Sequence, residues 1–191
     1  MKQKQDIDIR RARIGDLRGI MEIKNDYIDH TSAMWRTRHV GMEEMLLWWG
    51  EHNTPARPIF VAAEGAAGGY ESIVGYASLS TFRQADGYRY TAENSVYLLP
   101  GYEGRGLGRA LMRQVLLEGA AAGLRIITAW IDSENQKSVA FHGRLGFQMV
   151  GTMRDVGMIG GESRHVTIMD LDLQDMHGEE QGGSAPGAGE A

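Results

Sequence analysis

The chain contains no cysteine, which excludes a disulfide scaffold, a thiolate zinc site and a cysteine nucleophile. No apolar run approaches the roughly 18–20 residues needed to span a bilayer. The opening MKQKQDIDIR is charged with no apolar stretch behind it, so it does not read as a secretory signal. A basic surface is missing as well. Net charge is −5, and much of it sits at the end, where Asp175, Glu179, Glu180 and Glu190 stand without a Lys or Arg. The rest is nearly neutral, so partnership with nucleic acid or an anionic membrane is not expected, and a cytoplasmic address is. What remains is 191 residues, 42% apolar and 24% charged, enough for one domain with a core of its own.

Residues 1–6 form a polar lead. Ile7 and Ile9 alternate with Asp8 and Arg10, the pattern of a half-buried strand. Asp16 stands before Leu17, Ile20, Met21 and Lys24, which predicts a helix with an acid at its start. A second helix is read over 42–49, stopped by Pro55 and Pro58. Strands follow at 59–63 and 73–79 around a glycine turn at 65–69, and another at 89–98 ends at Pro100-Gly101. Leu107, Ala110, Leu111, Val115 and Leu117 give helical spacing closed by Gly123. The apolar run 124–131 reads as a buried, parallel strand. A short helix at 135–144 and strands at 147–153 and 166–173, separated by Gly160-Gly161, complete the domain over 7–173. Residues 174–191 are too polar to fold and are expected to be disordered.

The densest signal is Val96-Tyr97-Leu98-Leu99-Pro100-Gly101-Tyr102-Glu103-Gly104-Arg105-Gly106-Leu107-Gly108-Arg109, a strand entering a glycine-rich loop that opens a helix. Such glycines let main-chain N–H groups approach a ligand, and the helix start adds unpaired donors and a positive dipole end, a combination suited to phosphate. The spacing G-x-G-x-G fits neither G-x-x-x-x-G-K-[ST] nor G-x-G-x-x-G, which disfavours a P-loop or a dinucleotide site.

At this point the chain resembles the GNAT acetyltransferase superfamily. Its acetyl-CoA motif, [Gln/Arg]-x-x-Gly-x-[Gly/Ala], is matched by Gly106 and Gly108, with Glu103 standing where the family has Gln or Arg. The stretch from Asn135 to Phe147, ending in Leu145-Gly146-Phe147, is similar to the family's Asn-containing helix. Gly75-Tyr76-Ala77-Ser78, Phe82-Arg83 and Asp86 through Tyr97, with Thr31-Ser32-Ala33-Met34-Trp35, resemble the branch acting on phosphinothricin and methionine sulfoximine. The resemblance implies a mixed α/β domain built on a twisted, mostly antiparallel sheet of seven strands, splayed at its centre and flanked by helices. It implies acetyl-CoA as co-substrate without a metal, a small amino-acid analogue as acceptor, and a homodimer.

Acetylating an amine requires removal of a proton, donors for the thioester oxygen and relief of charge on the leaving thiolate. Glu93, a carboxylate inside a strand, is either ion-paired with Arg83 or Arg89 or functional, and the resemblance makes it the base. His142 stands where the superfamily often has a Tyr acid and this branch a His; a lone helical His is otherwise ordinary core or surface. Main-chain groups of Val96, Tyr97 and Leu98 are implied to line the acetyl and pantetheine arm, and Gly104, Arg105, Gly106, Leu107, Gly108 and Arg109 to hold the diphosphate. Asn135 is either a contact to the arm or a helix N-cap, and the two roles are compatible. Arg83 and Arg89 are candidates to clamp a carboxylate, with Asp86, Gly87 and Tyr88 shaping the same pocket and Trp35 offering an apolar wall. Other acceptors (a protein N-terminus, a polyamine, an aminoglycoside) and a non-catalytic acyl-CoA-binding module are the rival readings.

Overall fold

A computed structural model describes residues 7–65 and 71–175. The polar lead, most of the predicted turn at 65–69 and the acidic tail from 176 lie outside the described residues.

Seven strands form one sheet in the order β1-β2-β3-β4-β5-β7-β6. They are β1 (Ile7–Arg11), β2 (Ile59–Glu64), β3 (Ser72–Thr81), β4 (Thr91–Leu98), β5 (Ile126–Asp132), β6 (Gln148–Ile159) and β7 (Glu162–Asp172). Four α-helices accompany them: α1 (Leu17–His30), α2 (Met42–Glu51), α3 (Leu107–Ala121) and α4 (Gln136–Gly143). All neighbouring strands pair antiparallel except β4 and β5, which run parallel and pair only over Thr91–Glu93 against Ile126–Thr128. Past Glu93 the two strands diverge, and the sheet is open at its middle.

Side-chain alternation sorts the sheet into two apolar layers. On one face Leu79, Ala92, Ile127, Ala129 and Leu171 pack against Leu111, Met112, Val115 and Leu116 of α3. On the other Ile59, Val61 and Tyr76 pack against Leu17, Ile20 and Ile23 of α1 and Met45 of α2. Asp16 has a second duty beyond starting α1. Its carboxylate accepts from both terminal guanidinium nitrogens of Arg10, at 2.8 and 3.0 Å, and from the Arg13 N–H at 2.7 Å, tying β1 to the helix.

The last hairpin departs from the sequence reading. Strands expected at 147–153 and 166–173 extend to meet at the Gly160-Gly161 turn. The added segment, residues 154–165, carries no alternation because β6 is an edge strand and most of it is exposed. A pattern set by one buried face is absent where neither face is buried.

Candidate active site

The opening between β4 and β5 exposes main chain. Leu99 N–H donates to the Val74 carbonyl at 2.8 Å, so odd-numbered residues of β4 turn their amides toward β3. Even-numbered residues turn theirs the other way. The Tyr90 carbonyl accepts from Arg125 and Ile126, the Ala92 carbonyl from the Thr128 hydroxyl, and the Leu98 carbonyl from the Tyr27 hydroxyl at 2.9 Å. By the same alternation the N–H and C=O of Val96 face the gap, beyond the reach of β5.

A cavity of about 520 Å³ fills this gap. Val96, Leu98, Ala129 and Ile131 line it from the α3 side, whereas Ser95, Tyr97, Trp130 and Asp132 line it from the α1–α2 side. The cavity therefore connects the two faces of the sheet.

On the α3 side it meets the glycine loop. Gly104 and Gly106 have φ of +72° and +82°, a region that a residue with a Cβ adopts only under strain. Gly106 caps α3, whose first N–H groups have no partner within the helix. Gly104, Gly106, Gly108 and Arg109 line the cavity, and Lys137 and Arg144 add two further cations. Glu103 also borders it, but its carboxylate accepts the Gly101 N–H at 2.8 Å and is folded onto its own loop. Two expected contributors do not line the cavity: the Arg105 guanidinium lies 5.1 Å from the Tyr102 ring, and Leu107 is half-buried in the first turn of α3. Their main-chain amides still belong to the loop and helix start.

Asn135 borders the cavity and is the N-cap of α4, its Oδ1 accepting the Ser138 N–H at 3.1 Å. Asn135→Ala is expected to cost about 1 kcal/mol through the lost cap alone. For a domain of this size that lowers the unfolding midpoint by roughly 2–4 °C, measurable by scanning calorimetry.

Glu93 lies on the α1–α2 side, opposite Ser80 on β3. Burial lifts its carboxyl pKa above the usual carboxylate value, partly offset by the nearby Arg83 guanidinium. Four residues along and on the same face, Tyr97 is pushed up to about 12 by burial, with Tyr27 and Glu93 adding to the rise, and stays a neutral phenol. Its ring is 4.8 Å from that of Tyr27 and 5.4 Å from that of Tyr76. Together these place an apolar, hydroxyl-bearing wall beside Glu93.

His142 borders the cavity but is only 3% exposed. Burial lowers its pKa, opposed by its contact with the Ser138 carbonyl. Its Nε2 meets Oδ1 of Asn94, a residue that sequence reading passed over as ordinary strand. An Asn in a strand carries no signal until its cross-strand neighbours are known.

Arg83, Asp86, Tyr88 and Arg89 line a separate hollow of about 180 Å³ at the turn between β3 and β4, and Gly87 belongs to the same turn. The two arginines have different surroundings. Arg89 lies 4.3 Å from the Tyr90 ring and donates to the Asp86 carbonyl at 3.2 Å, whereas Arg83 is the one whose charge acts on Glu93. Phe82 bridges Tyr88 and Trp130, with ring centroids 5.5 and 6.4 Å away. Trp35 packs so closely on Gly157 of β6 that a Cβ there would overlap the indole. It thereby joins the α1–α2 connector to the far hairpin.

Residues 20–147 match the model of the acetyltransferase (GNAT) family. An L-methionine sulfoximine/L-methionine sulfone acetyltransferase of Salmonella typhimurium is 35% identical over 167 residues, 87% of this chain and 95% of that protein. A phosphinothricin N-acetyltransferase of Streptomyces coelicolor is 32% identical, covering 80% of this chain and 88% of its own. Among solved structures, yncA from Salmonella typhimurium, determined with its cofactor acetyl-CoA, superposes with a TM-score of 0.80 at 34% identity. That superposition covers 96% of this chain and 99% of the other.

Proposed function

Because the chain belongs to the GNAT acetyltransferase family, and is thus an acetyl-CoA-dependent N-acetyltransferase, we propose that its acceptor is the α-amino group of a small amino-acid derivative. Methionine sulfone, methionine sulfoximine and phosphinothricin define the type, as in the names of its relatives. One observation carries the reading: a single cavity joins the glycine loop on one face of the sheet to the other face, where Ser95 and Tyr97 line it and the desolvated Glu93 stands two places before Ser95, just outside the lining.

The residues fit acetyl-CoA. The N–H groups at the start of α3, with Arg109, Lys137 and Arg144 around them, suit a diphosphate and its neighbouring phosphate. The open edge of β4 offers Val96 C=O and N–H to the amides of a pantetheine arm, as a strand offers itself to a neighbour. When bound, acetyl-CoA supplies an acetyl thioester. Val96 N–H is the donor for the thioester oxygen as charge builds there. Glu93 takes the proton that an ammonium must lose before it can attack, and its raised pKa brings it nearer to the working pH. Arg83, whose charge reaches Glu93 from the neighbouring hollow, takes the acceptor's carboxylate, while Trp130 meets its side chain in the cavity with Phe82 and Tyr88 packed behind the indole. With no cysteine in the chain to carry the acetyl group, transfer is direct, inside a ternary complex.

The domain spans residues 7–173 and works as a cytoplasmic homodimer, for which the edge strand β6 offers exposed apolar side chains, Met149, Val150, Met153 and Met158, distributed over its two faces. Among the described residues no helix is long and apolar enough to cross a membrane.

Thiol release from acetyl-CoA, measured over a panel of the three analogues, ordinary amino acids, a polyamine and an N-terminal peptide, tests the acceptor assignment. Turnover concentrated on the analogues is expected. Turnover confined to the polyamine or peptide would refute it.

A further inference from the structure

Asn94 and His142 are joined at the point where the sheet opens. Asn94 is one residue past the last parallel pair, Glu93 with Thr128. Its Nδ2 donates to the Thr128 carbonyl at 2.9 Å, bridging from β4 to β5. That bond fixes the amide's orientation and turns Oδ1 toward α4, where His142 Nε2 lies 3.1 Å away. The other ring nitrogen, Nδ1, is 2.8 Å from the Ser138 carbonyl and 3.4 Å from the Ser138 hydroxyl. The rings of Phe141 and Phe147 stand edge-on to the imidazole at 5.2 and 5.1 Å, confining it.

Two consequences follow from this geometry. A neutral imidazole carries one ring proton: on Nε2 it donates to Asn94 Oδ1, and Nδ1 is left to accept from the Ser138 hydroxyl, so neither nitrogen is free to reach a sulfur in the cavity. Meanwhile the main chain of β4 beyond Asn94 keeps β3 on one side but has lost β5 on the other, so side chains bridge what ladder hydrogen bonds no longer span. Asn94 is buried, 7% exposed, and is the bridging side chain nearest the fork.

We propose that Asn94 and His142 are positioning residues: together they latch β4, β5 and α4 at the fork of the sheet and thereby set the width of the opening and the aim of Val96 N–H. His142 acts through Asn94 and exchanges no proton with the reactants. The inference rests on the acetyl-transfer reading above and replaces the role of acid that the resemblance implied for His142.

Three variants and one double variant test it. Gln presents an amide nitrogen close to where the His142 Nε2 lies, so His142→Gln can still donate to Asn94; His142→Ala and Asn94→Ala cannot keep the bridge. Coenzyme A affinity by calorimetry, and kcat against pH with acetyl-CoA and methionine sulfone, are the readouts. Both alanine variants should lose about tenfold or more in affinity and in kcat, the scale of a broken buried hydrogen bond. The double alanine variant should lose no more than the worse single one, since the two act as a unit. His142→Gln should recover to within about threefold of the parent, with the parent's dependence of kcat on pH. The proposal is overturned if His142→Gln falls with His142→Ala and both lose activity toward alkaline pH, as loss of a general acid would cause, while Asn94→Ala behaves as the parent. If methionine sulfone is not turned over by the parent protein, the acceptor assignment fails. The calorimetric pattern still decides the latch in that case: equal affinities in the parent and all four variants would overturn it.

Discussion

Replacing Glu93 by Gln is expected to lower kcat at neutral pH by about 10²–10⁴, the range for a lost general base. The carboxylate must be ionised to accept the ammonium proton. Since burial holds its pKa above the ordinary carboxylate value, the parent enzyme loses activity as pH falls through that raised value. Glu93→Gln should show no such acid limb. Stability separates this loss from unfolding. A carboxyl whose folded pKa exceeds its unfolded one favours the fold below the unfolded pKa, and that contribution disappears as pH rises through the folded pKa. At neutral pH the charged Glu93 is therefore a burden on the fold, and the neutral isostere should melt no lower than the parent. An unchanged pH–rate profile would remove Glu93 from the role.

The second large effect is expected at Gly106. Its φ of +82° places it in the left-handed region, where a Cβ costs about 1–2 kcal/mol. Gly106→Val relieves that strain by turning the chain, which takes the amides at the start of α3 out of line. Each charge-assisted N–H bond to a phosphate contributes about 1.5–3 kcal/mol, so coenzyme A affinity by calorimetry should fall roughly 10–100-fold. Gly160→Val is the matched control. Gly160 also has positive φ, +61°, but lies in the β6–β7 turn. It should lose stability while keeping coenzyme A affinity. Equal loss of affinity in both would mean that general strain, not the loop, is being measured.

The order of elements was legible because most strands and helices bury one face, and burial writes a period into the sequence. Gly123 was recognisable as a helix terminator, and it does take φ of +87° just past α3. The glycine loop was readable for a different reason: conformations with positive φ select their residue type. What escaped was everything decided by pairing across the sheet. Nothing local marks Asn94 as a bridge to Thr128, or separates the surroundings of Arg83 from those of Arg89. The length of β6 escaped because an edge strand open to solvent has no reason to alternate. His142 illustrates the limit most sharply. Its position along the chain points to proton transfer, yet in space one ring nitrogen is turned to Asn94 and the other to the Ser138 hydroxyl.

Consecutive residues of β4 belong to opposite faces: Val96 to the α3 side, where the glycine loop lies and where we place the donor, and Glu93, Ser95 and Tyr97 to the α1–α2 side, where we place the amine. Changes that refit the receiving side to a bulkier or differently charged amine need not touch the donor's berth one residue away. Such a strand is a two-sided tool, whose customer can be exchanged without retooling the grip.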